Sequence, residues 1–201
     1  MAEAAEALQD QEGATAQAGP PGVLRDRFTI RSNMPLPEFS TPTAEAFVAE
    51  DKRDPKRPLY ALICRPGLPV RVNVMRALKG MVNPGLVQLV EWGPMVWPPA
   101  GRQCMTVVYE RPLGKRLMPS SRSSECRRVD EYEIIPKVIE PLVAAIKELT
   151  NRGITHRAIR ATNLFFMDEG GERIGLGDCV AAPAAFDQPL VFETVDSGMC
   201  K

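Results

Sequence analysis

The sequence predicts an α+β chain, and two observations carry that expectation. Strand-like segments dominate the first 110 residues, where a single stretch has a pattern suited to a helix. The strongest helical pattern follows them: Ile134-Ile135, Val138-Ile139, Leu142-Val143, Ile146 and Leu149 recur at helical spacing. Strands first and helix afterwards is the order of an α+β domain rather than of alternating β and α units.

Taken in order, residues 1–22 are rich in Ala, Glu, Gln, Gly and Pro and contain no aromatic side chain, so a disordered tail is expected there. Residues 27–31 form a short candidate strand. Residues 33–58 are polar and studded with proline, which predicts loops with one short element near 44–48. The run LYALIC at 59–64 reads as a strand. Residues 70–81 suit a helix, and 86–92 and 103–110 suit strands joined by a proline-rich turn at 94–101. The long helix then runs to Asn151-Arg152-Gly153, a stop signal. Pro136 is expected in its first turn. Pro141 is expected to kink it or to mark the start of its regular part, because the ring clashes with the preceding turn. An apolar run at 163–167, a turn at 168–171 and a strand-like stretch at 173–176 follow. Pro183 is expected in a loop.

Composition narrows the functional classes. With 44% hydrophobic and 25% charged residues, the chain has enough apolar material for a core. Its formal net charge of zero gives no general attraction to nucleic acid or an anionic membrane. No apolar run approaches the length of a membrane span, and the N-terminus lacks the order of a signal peptide. The five cysteines, Cys64, Cys104, Cys126, Cys179 and Cys200, are scattered, which suits reduced thiols in a cytoplasmic protein better than disulfides or a zinc site.

The richest motif is Thr155-His156-Arg157-Ala158-Ile159-Arg160-Ala161-Thr162-Asn163, followed by Gly177-Asp178-Cys179. It resembles the catalytic loop and metal-binding segment of the protein kinase-like superfamily, in its serine/threonine kinase form. The resemblance implies a small β-rich N-lobe over residues 23–110 and the first part of a helical C-lobe over 111–201. In that comparison Asn163 and Asp178 match the two metal-coordinating positions, and His156 matches a residue packed in the core. Both polar residues also have a structural reading, as loop and turn anchors.

The departures are as informative. Ala158 stands where the family keeps its catalytic aspartate, and a methyl group cannot accept a proton. Residues 61–64 match the strand that ends in the phosphate-binding lysine, and that position holds Cys64. The lysine's glutamate partner has no counterpart, since residues 70–83 contain no acid. The phosphate-covering loop needs glycines, and none lies between Leu24 and Pro66. With Tyr109 at the gatekeeper position, backbone groups of Glu110 and Pro112 fall where the family bonds adenine. Pro112 has no N–H to give, although a one-residue shift would pass that role to Arg111.

The resemblance therefore implies a degenerate, pseudokinase-like member with no catalytic residues, acting as a scaffold or regulator that binds another protein. ATP with Mg or Mn is the only cofactor it admits, held weakly. The alternative is an atypical serine/threonine kinase with a relocated lysine, for which Lys79 and Lys115 are nearest. A small-molecule phosphotransferase fits less well, because it keeps the aspartate and has glycine where Arg157 stands. A kinase C-lobe continues through further helices beyond the point this sequence reaches, so a fragment with further C-terminal sequence is expected.

Overall fold

The computed structural model describes residues 19–67, 69–118 and 129–181. Six strands form an antiparallel sheet: β1 (Gly22–Leu24), β2 (Phe28–Pro35), β3 (Ala44–Asp51), β4 (Asp54–Cys64), β5 (Leu89–Trp97) and β6 (Arg102–Glu110). Their order is β1-β2-β3-β4-β6-β5. Helix α1 (Val72–Leu78) lies between β4 and β5. A longer helical stretch follows β6: α2 (Glu131–Glu133), a π-helical segment (Ile134–Ile139) and α3 (Glu140–Asn151). Strands β7 (Leu164–Phe166) and β8 (Ile174–Leu176) pair as an antiparallel ribbon. Among the described residues no helix is long and apolar enough to cross a membrane.

The alternation within β4 divides the core. Leu59, Ala61 and Ile63 point into a cluster with Leu24, Phe28, Met95, Trp97 and Val108, formed because β1 curls round to approach β5. Tyr60, Leu62 and Cys64 point the other way, into a second cluster with Met75, Tyr109, Leu149 and the ribbon. That second face is the cleft wall. Fully burying each of its large side chains contributes about 1.5–3 kcal/mol.

Several expectations need correcting. Residues 33–58 are not mainly loop: β3 runs on to Asp51, and β4 starts at Asp54. The prolines mislead because Pro55 and Pro58 fall where the β3–β4 register is irregular, between the pairs Asp51↔Asp54 and Ala49↔Leu59. There a missing N–H interrupts no regular ladder. Pro94 likewise lies inside β5, opposite Met105, because β5 is an edge strand. The turn is confined to a 3₁₀ segment at Pro98–Ala100. Leu86, assigned to that strand from sequence, instead bridges Leu176. Helix α1 is shorter than residues 70–81, since Lys79 is already extended. Gly22 belongs to β1 rather than to the tail; residues 1–18, Pro183 and the rest of 182–201 lie outside the described residues.

Pro141 does mark the start of the regular helix. It sits in the first turn of α3, and the six residues before it widen into a π-helix. The wider turn removes the need for a donor that proline lacks. Pro136 lies inside that π segment instead of in a first turn.

Candidate functional site

The loop after α3 is organised by its backbone. His156, only 3% exposed, accepts the Ala158 N–H at Nδ1 over 3.2 Å. Burial lowers its pKa to about 4, so the ring is neutral. Arg157 takes a left-handed conformation, with φ at 67°, rare for a residue with a side chain. Ala158 is buried. Its carbonyl accepts from Asn163 Nδ2 at 2.9 Å, and the same amide donates to the Asp178 carbonyl at 2.9 Å. Asn163 is thus a staple between two loops. Gly177 allows this closeness: a Cβ there would collide with Asn163 Oδ1 and stand 2.6 Å from the Phe165 ring.

Asp178 is engaged just as fully. Its Oδ1 accepts the Tyr109 hydroxyl at 2.5 Å and the Val180 N–H at 3.1 Å, and its Oδ2 accepts the Ala181 N–H at 3.1 Å. Burial raises its pKa, while those donors pull it down less strongly. Burial also holds the Tyr109 hydroxyl protonated, with a pKa well above the usual phenol value.

Tyr109 begins an aromatic column that fills the cleft. Its ring lies 5.5 Å from that of Tyr60, Tyr60 lies 4.7 Å from Phe39, and Phe39 lies 5.3 Å from Phe165. Phe39 comes from the glycine-free connection between β2 and β3. Cys64 lines the same face, and burial pushes its thiol pKa up, leaving it uncharged.

The residues expected beside a nucleotide make these contacts. Glu110 pairs with Arg57 at 3.1 Å, and its N–H donates to the Gln88 carbonyl. Pro112 is buried and supplies no donor, and the Arg111 N–H already donates to the Pro58 carbonyl at 2.9 Å. Lys79 is held by Glu91 at 2.9 Å. Lys115 remains exposed beside the cleft. Among the described residues no three His, Cys, Asp or Glu side chains form a group able to hold a metal ion. A metal-bridged nucleotide does not fit the residues as they stand. The carboxylate at 178 already accepts three donors, position 64 holds a neutral thiol, and aromatic rings line the cleft.

Three contributors were missed from sequence. Phe39 and Tyr60 carried no motif, although Tyr60 shares the strand face of Cys64 and was open to inference by alternation. Arg71, just before α1, donates to the carbonyls of Thr155 (2.7 Å), His156 (3.1 Å) and Cys179 (2.8 Å). It clamps both loops to the small lobe, and nothing in the local sequence announced it.

No family model matches the sequence, and no curated protein does. Solved structures do. The chain is similar to Rad53 in complex with AMP-PNP, with a TM-score of 0.58 and 18% identity over 77% of this chain and 38% of that one. It is similar to the PAN3 pseudokinase of Neurospora crassa, with a TM-score of 0.59 and 16% identity over 86% of this chain and 43% of that one. The Drosophila melanogaster PAN3 pseudokinase gives a TM-score of 0.57 and 16% identity over 75% and 42%. The chain therefore spans less than half the length of these structures. Sheet, α1, the loop after α3 and the ribbon together make this a protein kinase-like fold, comprising a β-rich N-lobe and part of a C-lobe.

Proposed function

We propose that the chain is a pseudokinase-like module that transfers no phosphate and works by binding another protein, as a scaffold or regulator. The observation that carries this reading is the buried Tyr109–Asp178 hydrogen bond at the end of the aromatic column. Phosphoryl transfer relies on positioning and on charge stabilisation by cations and metals. Here the carboxylate that would hold a metal is spent on a tyrosine and two backbone amides. Losing the general base alone commonly costs 10²–10⁴ in rate. The likeness to two PAN3 pseudokinases supports the same reading. The buried thiols Cys64, Cys104 and Cys179, none in a disulfide, are in keeping with a cytoplasmic setting.

A second reading keeps one supporting observation. Asn163 and Asp178 are adjacent, and Rad53 is described in complex with AMP-PNP. An atypical serine/threonine kinase would need the column to open and a metal to supply most of the attraction for ATP. The two readings part in one experiment: radiolabelled ATP with Mg²⁺ or Mn²⁺ and generic protein substrates, with Asp178→Ala as control. No transfer above the blank is expected. Transfer that disappears in the control would establish the second reading.

A further inference from the structure

We infer that the front of the cleft, outside the aromatic column, is a binding site for a carboxylate side chain of an extended peptide. The inference rests on the protein-binding reading above and specifies the chemistry of the partner. A cavity of about 660 Å³ opens there between the β2–β3 connection, the segment after β6 and the end of β7. That volume is in the range of ordinary ligand sites. Arg111, Lys115 and Arg116 line it, and none of the three is in an ion pair among the described residues.

Arg116 is the centre of the site. It donates to the Ser40 carbonyl at 3.0 Å, and its guanidinium lies 5.3 Å from the Phe165 ring centroid. Among the described residues its Nε is buried without an acceptor. Burial pulls its pKa down and the Glu38 carboxylate acts weakly the other way, yet an arginine stays charged, so the side chain is a partly desolvated cation with no carboxylate in ion-pair range among the described residues. The backbone beneath it is fixed. Gly114 N–H donates to the Phe166 carbonyl, Phe166 N–H to the Lys115 carbonyl and Leu117 N–H to the Leu164 carbonyl, so residues 114–117 lie along β7 through an antiparallel bridge between Arg116 and Phe165. A Cβ at Gly114 would stand 2.5 Å from that of Phe166, so the two backbones meet directly. The cation is thus oriented before any ligand arrives, which lowers the cost of binding.

The rim selects the ligand. Leu113 is 57% exposed beside the cations and offers an apolar contact. Glu38 and Glu169 also line the cavity, against three cations, leaving one net positive charge. One carboxylate is neutralised by that excess, whereas a triphosphate would meet the two glutamates. An acidic residue next to an apolar one in an extended peptide matches both features.

The test is an NMR titration of the ¹⁵N-labelled chain with acetyl-Leu-Glu-Leu-amide and with acetyl-Leu-Gln-Leu-amide, which differ only in the charge. Inorganic phosphate and ATP in EDTA are run as separate arms. The Glu peptide is expected to shift the Gly114, Arg116 and Phe165 amides saturably, and about 10-fold more tightly than the Gln peptide. The contrast should shrink with added salt and vanish in Arg116→Met. Should that variant not fold, Lys115→Met, at an exposed position, is expected to weaken the Glu peptide alone. Equal affinity of the two peptides, no saturable shift from either, or tighter saturation of these amides by phosphate or ATP would overturn the inference. Phosphate transfer by the chain would defeat the inactive-module reading without altering this contrast, so the two fail separately.

Discussion

Replacing Tyr109 with phenylalanine removes one oxygen and little else, because the ring stays at the end of its column beside Tyr60. The lost hydroxyl donates to a buried carboxylate at 2.5 Å, and the two residues are 2% and 6% exposed. Hydrogen bonds to charged groups contribute about 1.5–3 kcal/mol, so Tyr109→Phe is expected to destabilise the chain by about 2 kcal/mol. For a chain of this length that is a fall in Tm of about 4–8 °C. Asp178→Asn keeps an acceptor for the tyrosine but removes the charge, so the bond becomes an ordinary one of about 1 kcal/mol. The double-mutant cycle should therefore give a coupling near 1 kcal/mol. Urea midpoints for the four proteins, with equal m-values as the check on two-state unfolding, measure it. A Tyr109→Phe cost of a few tenths of a kcal/mol, or the same cost in both backgrounds, would refute the claim that this bond closes the site.

Three further outcomes follow from the same geometry. His156 has a folded pKa of about 4 against 6.5 unfolded, so the unfolded chain binds more protons in that window and stability falls as pH drops through it. Between pH 7.5 and 4.5 the loss is about 2–3 kcal/mol; His156→Leu should remove that part of the slope, and parallel urea profiles for the two proteins would contradict it. Phe39→Ala should cost about 3–4 kcal/mol, as for other buried aromatic truncations, and a loss below about 1 kcal/mol in urea unfolding would mean the ring is not packed in the cleft. Ala158→Asp alone should create no kinase activity and should lower Tm, because it places a carboxylate at a position only 4% exposed. Labelled phosphate transfer by that single variant would show that a phosphate cradle exists elsewhere in the chain.

The parts of the fold legible in the sequence were those written as local periodicity. The long helix, β4 and the β7–β8 ribbon announced themselves through spacing, and the His156–Asp178 motif through its order. What misled was proline. Pro55, Pro58 and Pro94 read as breakers, yet each falls at a register irregularity or on an edge strand. Which strand is at an edge is a property of the sheet, invisible to a local window. The site was half legible for a similar reason. Residues such as Ala158 and Cys64 are read at their own positions, but what packs around them comes from elsewhere. Phe39 and Arg71 reach the site from a loop and a helix start far from it in sequence.

The neutral thiol at position 64 and the aromatic rings around it suit one another. A lysine kept at position 64 without its glutamate partner would face Tyr60, Leu62 and Tyr109 in a cleft that excludes water. An unpaired buried cation there would cost several kcal/mol. The cysteine removes that cost, and the apolar wall then favours further burial, supplied by Phe39 and the rings behind it. Asp178 survives because it has found other work. Its carboxylate accepts the N–H groups of Val180 and Ala181, and the Tyr109 hydroxyl donates to it. The Asp178 carboxylate thus has a structural role that needs no metal, which is why the motif alone is a poor guide to chemistry. The polar groups left over are those outside the column, with Arg116 chief among them, and they are where binding is to be sought.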